Sequence, residues 1–291
     1  MAGNNYRNLQ NSHPCFGGQK NNAGRIHLPV SPGCNIGCRF CERVISDTKN
    51  APGVTGRILT PDEAIEVVEK AIAICPEIKV AGIAGPGDTL ATDYALQTFE
   101  LLDKRFPQLI KCMSTNGLLL KDRANEVINA KVDSLTVTVN AVAPEIEAEL
   151  NRFVIYEGKR YTGVEAAEIL IENQLEGIRR IAEAGITIKV NTVLVPEING
   201  GHIEKVAKAV SEAGATIYNI IPLIAQYELK DAREPSCIEI DGARTRAGQY
   251  IDVFRHCQRC RADAVGIPGK LEIGDRIYQR RLELENTFSH G

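Results

Sequence analysis

Three cysteines stand together as Cys34-Asn-Ile-Gly-Cys38-Arg-Phe-Cys41, spaced C-x3-C-x2-C, just after the apolar stretch Ile26 to Val30. Three thiolates on one short loop can hold three irons of a four-iron, four-sulfur cube and leave the fourth iron open to chemistry. A structural zinc site would want four ligands with pairs at both ends, which is not what stands here. A chance cluster of buried thiols is the plainer alternative, but buried cysteines rarely crowd onto a Pro/Gly loop. Elsewhere, His13-Pro14-Cys15 sets two soft ligands on either side of a proline that fixes the local backbone. Cys257 and Cys260 form a C-x2-C pair that needs further ligands, for which Cys15, His13, Cys112, His27 and Cys237 are available. Cys75 ends a helical apolar stripe and reads as core.

These residues need elements to position them. Arg25 to Val30 alternates polar and apolar residues, a strand with Arg25 and His27 on one face. Thr60-Pro61-Asp62-Glu63 is a capping box opening an amphipathic helix, and Ile78 to Ile83 is a short buried strand ended by Gly85-Pro86-Gly87-Asp88. A helix stopping at Pro107, a strand Leu109 to Ser114, a helix over about 119–129 and a strand Ser134 to Asn140 follow. After a longer connection, Thr162-Gly-Val-Glu165 caps a helix that ends at Gly185. The echo Glu183-Ala-Gly-Ile-Thr-Ile188 and Glu212-Ala-Gly-Ala-Thr-Ile217 marks two helix-glycine-strand units. Six strands alternating with helices imply a parallel sheet with helices outside, either an open doubly wound sheet or a partial barrel. Beyond Pro222 an amphipathic helix is expected over about 243–254, then the C-x2-C run and a charged tail.

In parallel α/β folds ligands sit at the carboxyl ends of the strands. The Cys34 loop, Gly85 to Asp88, Ser114-Thr-Asn116 and Asn140 all fall at such ends, and Asn191 lies late in strand five. Glycines let backbone amides approach a ligand closely, and Asp88 offers a carboxylate for an ammonium group. Thr136, Asn140, Lys189 and Asn191 would line the lumen, and Cys112 shares the parity of Ser114.

The chain has 291 residues, 44% of them hydrophobic, enough for one sizeable core. A net charge of -3 and a pI near 6.0 leave no polyanion footprint, so no nucleic-acid partner is expected. No apolar run approaches the roughly 18 residues of a membrane span, and the Asn-rich start is no export signal, so a cytoplasmic protein is expected. Nine cysteines in such a chain read as reduced thiols and ligands.

The cysteine spacing, with Phe40 before the last cysteine, resembles the cluster loop of the radical S-adenosylmethionine (SAM) enzymes. With His13-Pro-Cys15, Cys112-Met-Ser-Thr-Asn-Gly, Val190-Asn-Thr-Val-Leu-Val-Pro-Glu, Asn219-Ile-Ile-Pro-Leu and Cys257-Gln-Arg-Cys260-Arg-Ala-Asp-Ala, the chain resembles the NifB family of nitrogenase cofactor maturases from about residue 13 to 266. The resemblance implies a partial (βα)6 parallel barrel at 25–224, an N-terminal cluster-ligating arm at 1–24 and a C-terminal extension at 225–291. It implies that Cys34, Cys38 and Cys41 hold the catalytic 4Fe-4S cluster and that Gly85, Gly87 and Asp88 bind the SAM amino group, with Ser114, Asn116, Asn140 and Asn191 around the cofactor. Cys15, Cys257 and Cys260 would hold one substrate cluster, and Cys112 with His13 the other. The implied reaction fuses two 4Fe-4S clusters around a SAM-derived carbide, with an extra sulfur, into an eight-iron precursor. An iron-sulfur donor protein, an electron donor such as ferredoxin and a cofactor carrier or nitrogenase scaffold protein are the implied partners. Many relatives carry a further cysteine where this chain has Val44-Ile-Ser-Asp47, so the second substrate cluster is expected to be held by fewer thiolates, or by an oxygen or nitrogen ligand such as Asp47 or His27. The chain stops soon after the C-x2-C region, so no fused carrier domain is expected. Two other readings stand beside this one: a radical SAM enzyme acting on a peptide or small molecule with relay clusters, and a non-enzymatic iron-sulfur scaffold.

Overall fold

The computed structural model describes residues 9–17 and 22–279. A short helix, α1 (Pro14–Gly17), precedes β1 (Gly24–His27) and β2 (Ile36–Cys38). Helix α2 (Pro61–Ile74) begins at the expected box: the Thr60 hydroxyl accepts the Glu63 N–H at 3.3 Å and the Glu63 carboxylate accepts the Thr60 N–H at 2.8 Å. Ala64, Val67, Val68 and Ala71 form its buried stripe. Then come β3 (Ile78–Ile83), α3 (Tyr94–Arg105), β4 (Ile110–Thr115), α4 (Leu120–Asn129) and β5 (Ser134–Thr138). Phe99 and Leu102 of α3 are fully buried, each worth about 1.5–3 kcal/mol against exposure.

The longer connection contains α5 (Pro144–Leu150) and a hairpin of β6 (Asn151–Tyr156) and β7 (Lys159–Tyr161) that the expected elements did not include. Helix α6 (Gly163–Glu183) follows, although the Thr162 side chain makes no capping hydrogen bond. After it come β8 (Thr187–Leu194), α7 (Ile203–Glu212) and β9 (Ile217–Pro222). The helix expected over 243–254 is instead α8 (Cys237–Ala247), set by a second capping box, Ser236 with Glu239. The residues that follow form β10 (Asp252–Val253), and β11 (Val265–Ile267), β12 (Leu271–Glu272) and α9 (Gly274–Tyr278) complete the described chain.

Among the described residues the main sheet runs β10-β9-β8-β5-β4-β3-β1-β11-β12. From β1 to β9 the six parallel strands are neighbours in chain order. A doubly wound sheet reverses its strand order part-way, so this unreversed order is that of a partial barrel. The C-terminal extension is woven into both edges: β10 pairs with β9, and β11 runs antiparallel to β1 with Arg25 opposite Gly266. Outward residues Leu135, Val137 and Val139 pack in the core under the helices, and inward Thr136 and Thr138 line a central chamber. Among the described residues no helix is long and apolar enough to cross a membrane.

Candidate active site

The first cysteine group sits where β1 ends. Within its loop, β2 pairs with β6, placing Ile36 opposite Val154 and Cys38 opposite Asn151. The hairpin beneath this loop had a readable signal: apolar-aromatic runs on either side of Glu157-Gly158, both with positive φ (50° and 73°), the mark of a two-residue turn. The turn after β3 braces the loop from the other side. Gly87 donates its N–H to Ser31 O at 2.7 Å and Asp88 to Gly33 O at 2.8 Å. A Cβ on Gly87 would lie 1.8 Å from Gly33 O, so only glycine fits.

Asp88 departs from its expected role. Its buried carboxylate already accepts the Asn116 N–H (2.6 Å), the Leu90 N–H (3.0 Å) and the Thr115 hydroxyl (2.9 Å), so it ties two turns together and presents no free anion to an ammonium group. Asn116 in turn donates to Asn35 Oδ1 at 2.7 Å and lies 3.8 Å from Cys34 Sγ. Gly85 and Gly87 contribute by packing, outside the chamber lining. Asn140 is likewise structural: its Oδ1 accepts the Val193 N–H at 3.0 Å, which turns it away from the lumen it was expected to line.

The second group is assembled from the chain's two ends. Leu9, Phe16, Ile217 and Phe254 form a small buried cluster, with Cys15, Ile110 and Cys257 packed against it. Ile110 and Ile217 begin β4 and β9, so this group closes the amino end of the strands, opposite the Cys34 loop. The carboxyl-end placement expected for the Cys34 loop and the strand-end turns does not extend to this group. The barrel rule concerns loops after strands, whereas these arms fold under the barrel from outside it. Arg25, inward on β1, donates to Cys260 Sγ at 3.4 Å and pairs with Glu272 at 2.9 Å.

A single chamber of about 350 Å³ joins the two groups, lined by Phe40 and Cys41 at one end and by His13, Cys15, Cys257 and Cys260 at the other. Cys112, Ser114, Lys189 and Asn191 line it between them. All nine cysteines are free thiols. Burial pushes the Cys15 thiol up to about 12 and raises Cys34, Cys38, Cys41 and Cys112. Such thiols stay protonated at neutral pH and are poor free nucleophiles; binding a metal would release the proton. Among the described residues no three His, Cys, Asp or Glu side chains converge as closely as one ion requires. A four-iron cube takes its thiolates further apart, so the donor set suits a cluster better than a single ion.

The two histidines in the chamber differ. Burial and neighbouring Lys189 hold His13 well below its ordinary pKa, and burial and Arg25 hold His27 down to about 4, so both rings are neutral. His13 Nδ1 accepts the Cys15 N–H at 3.1 Å, which leaves its proton on Nε2 and sets it against ligation in this conformation. His27 Nδ1 faces the Arg261 carbonyl at 2.8 Å and must donate to it, so Nε2 keeps its lone pair. Asp47, the other expected substitute ligand, lies outside the chamber lining.

Sequence reading gave no role to the residues after Cys260. Arg261 pairs with buried Asp263 at 2.8 Å and donates to Ser46 O at 2.8 Å and to Lys49 O. Asp263 also accepts the Gly56 N–H at 2.9 Å. The Arg-Ala-Asp run is thus a clamp that joins the C-terminal arm to the segment following the Cys34 loop. A buried charge pair two residues apart is the signal that was available.

Residues 28–210 match the Radical SAM superfamily. The FeMo cofactor biosynthesis protein NifB of Methanocaldococcus infernus is 43% identical over 284 residues, covering 97% of this chain and 94% of the relative. The chain belongs to the NifB family. Its similarity to the protein of that name from Klebsiella pneumoniae is 40% identity over 268 residues, 89% of this chain and 57% of the longer relative. Streptococcus suis SuiB bound to S-adenosylmethionine superposes with a TM-score of 0.56 at 12% identity, over 81% of this chain and 51% of that one. Methylornithine synthase (PylB) gives 0.51 at 12% identity, over 92% and 82%. At these identities the likeness is one of fold alone.

Proposed function

We propose that this chain acts in FeMo cofactor biosynthesis as a radical SAM maturase, fusing two 4Fe-4S clusters around a SAM-derived carbide, with an extra sulfur, into an eight-iron precursor. The observation that carries the reading is the single chamber joining the Cys34 loop to a second set of cysteines drawn from both arms. Relatives named for FeMo cofactor biosynthesis support the pathway.

Cys34, Cys38 and Cys41 hold the catalytic cluster on a loop braced by β6 and by the Gly85–Asp88 turn. Bound there, the cluster and SAM supply reductive cleavage of a carbon–sulfur bond and a 5'-deoxyadenosyl radical. Ser114 and Asn191 face that cofactor, and Asn116 steadies the Cys34 side. Cys15, Cys257 and Cys260 hold one substrate cluster at the amino end; Cys112 holds the other, with His27 Nε2 as the fitting nitrogen ligand. An electron donor, an iron-sulfur donor and a carrier for the product complete the system.

Anaerobic iron and sulfide analysis with EPR, before and after SAM, tests this on wild type and on a Cys34→Ala/Cys38→Ala/Cys41→Ala variant. The reading requires about twelve irons in wild type, about eight in the variant, and a new larger-cluster signal from two cubane signals in wild type alone. Persistence of both auxiliary signals while SAM is cleaved would make them relays.

A further inference from the structure

Two lysines are buried on neighbouring parts of the sheet, and they are treated differently. Lys111 on β4, 4% exposed, is met by Asp103 at 2.9 Å. Lys189 on β8, 6% exposed, points into the chamber, and among the described residues no carboxylate pairs with it. Its Nζ instead lies 5.7 Å from the centre of the Phe16 ring and 5.6 Å from that of Phe254. Ring faces attract a cation but carry no net charge. A buried ammonium without an anion is disfavoured, so the position makes sense if the anion arrives with a ligand.

The surroundings say what that anion is. Lys189 shares the chamber with Cys15, Cys112, Cys257 and Cys260. Phe16 directly follows Cys15, and Phe254 comes three residues before Cys257. The two rings therefore fix the cation relative to both cysteine-bearing arms.

We propose that Lys189 is a positioning residue, the counter-cation that seats thiolate-bound iron–sulfur clusters in this chamber. The inference rests on the reading that these cysteines hold substrate clusters. One positive charge beside an anionic cluster strengthens its retention and favours its more reduced, more negative state, so it also raises the cluster's reduction potential. The Phe16 and Phe254 rings hold the charge in place and leave the net balance to the cluster.

The test compares anaerobically reconstituted wild type with Lys189→Met, which keeps the reach of the side chain without its charge, and Lys189→Arg, which keeps the charge. Auxiliary iron in the Lys189→Met protein should pass to a chelator faster by on the order of tenfold, the effect of losing one charge partner at the effective dielectric of a protein interior. The auxiliary midpoint potential should move negative, and Lys189→Arg should restore both. The EPR signal of the Cys34-loop cluster with SAM should stay as in wild type and so reports folding. Lys189→Gln carries the same comparison if Lys189→Met does not fold. Wild-type retention and potential in the charge-free variant would overturn the proposal, as would equal losses in the arginine variant, which would make the residue a packing element. A wild type holding only about four irons would overturn the underlying reading first.

Discussion

At the carboxyl end of the barrel, Cys34, Cys38 and Cys41 come from one loop, held by β2–β6 pairing and the Gly87–Ser31 and Asp88–Gly33 hydrogen bonds. At the amino end, Cys15 and Cys257 come from opposite ends of the chain and meet through side-chain packing around Phe16 and Phe254, while Cys260 accepts a hydrogen bond from Arg25. The buried ionisable groups differ as well. Beside Cys38 lies a buried carboxyl, Glu147, whereas the other end carries Lys189 and Arg25. A backbone-braced loop presents its ligands in fixed geometry, which suits a resident catalytic cluster. Arms that close by side-chain packing suit a cluster that is delivered, transformed and released.

The largest effect that would sharpen this contrast comes from Cys257→Ser/Cys260→Ser. That variant should lose about four irons yet still cleave SAM, because the loop at the other end is braced independently. Measured 5'-deoxyadenosine release alongside iron content decides it; loss of SAM cleavage in the pair variant would show that the two ends are one unit.

Next in size is Asp263→Ala. It leaves the Arg261 guanidinium buried without its anion and removes the acceptor for the Gly56 N–H, at a cost of about 3–5 kcal/mol. Because Arg261 also donates to Ser46 O and accepts from His27, urea unfolding should show the fall in stability together with lost iron at both ends. A loss confined to the C-terminal arm would mean that the clamp does not bridge them.

The same contrast explains what was readable in the chain. The six parallel strands, the Thr60 box and the Cys34 loop are governed by local spacing and periodicity, and they stand close to where that spacing puts them. The closure of the amino end was not readable, because nothing local in His13-Pro-Cys15 or Cys257-Gln-Arg-Cys260 says which end of a barrel each will cover. Asp88 shows a subtler limit: a carboxylate on a glycine turn looks available until the Thr115 hydroxyl and Asn116 N–H are seen to fill it. The choice between His13 and His27 likewise depends on which ring nitrogen faces a carbonyl and which an N–H.

Per pH unit, the smallest effect expected here belongs to Glu147, 1% exposed, whose carboxyl burial pushes up to about 8 from an ordinary 4.5, with the Asn151 amide among its hydrogen-bond donors. Between those two values the folded chain holds a proton that the unfolded chain has released. Wild-type stability from this group is therefore complete below pH 4.5 and falls as pH rises through 8, by about 1.4 kcal/mol per unit. Glu147→Gln keeps the shape and does not titrate, so its advantage over wild type in urea unfolding should widen across that window and level off above it. A neutral acid beside Cys38 adds no repulsion to three thiolates gathering there, whereas an ionised one would oppose them. A difference between variant and wild type that stays flat from pH 5 to 8 would mean that the carboxyl is ionised in the fold, and the loop end would then carry a charge that opposes its own thiolates.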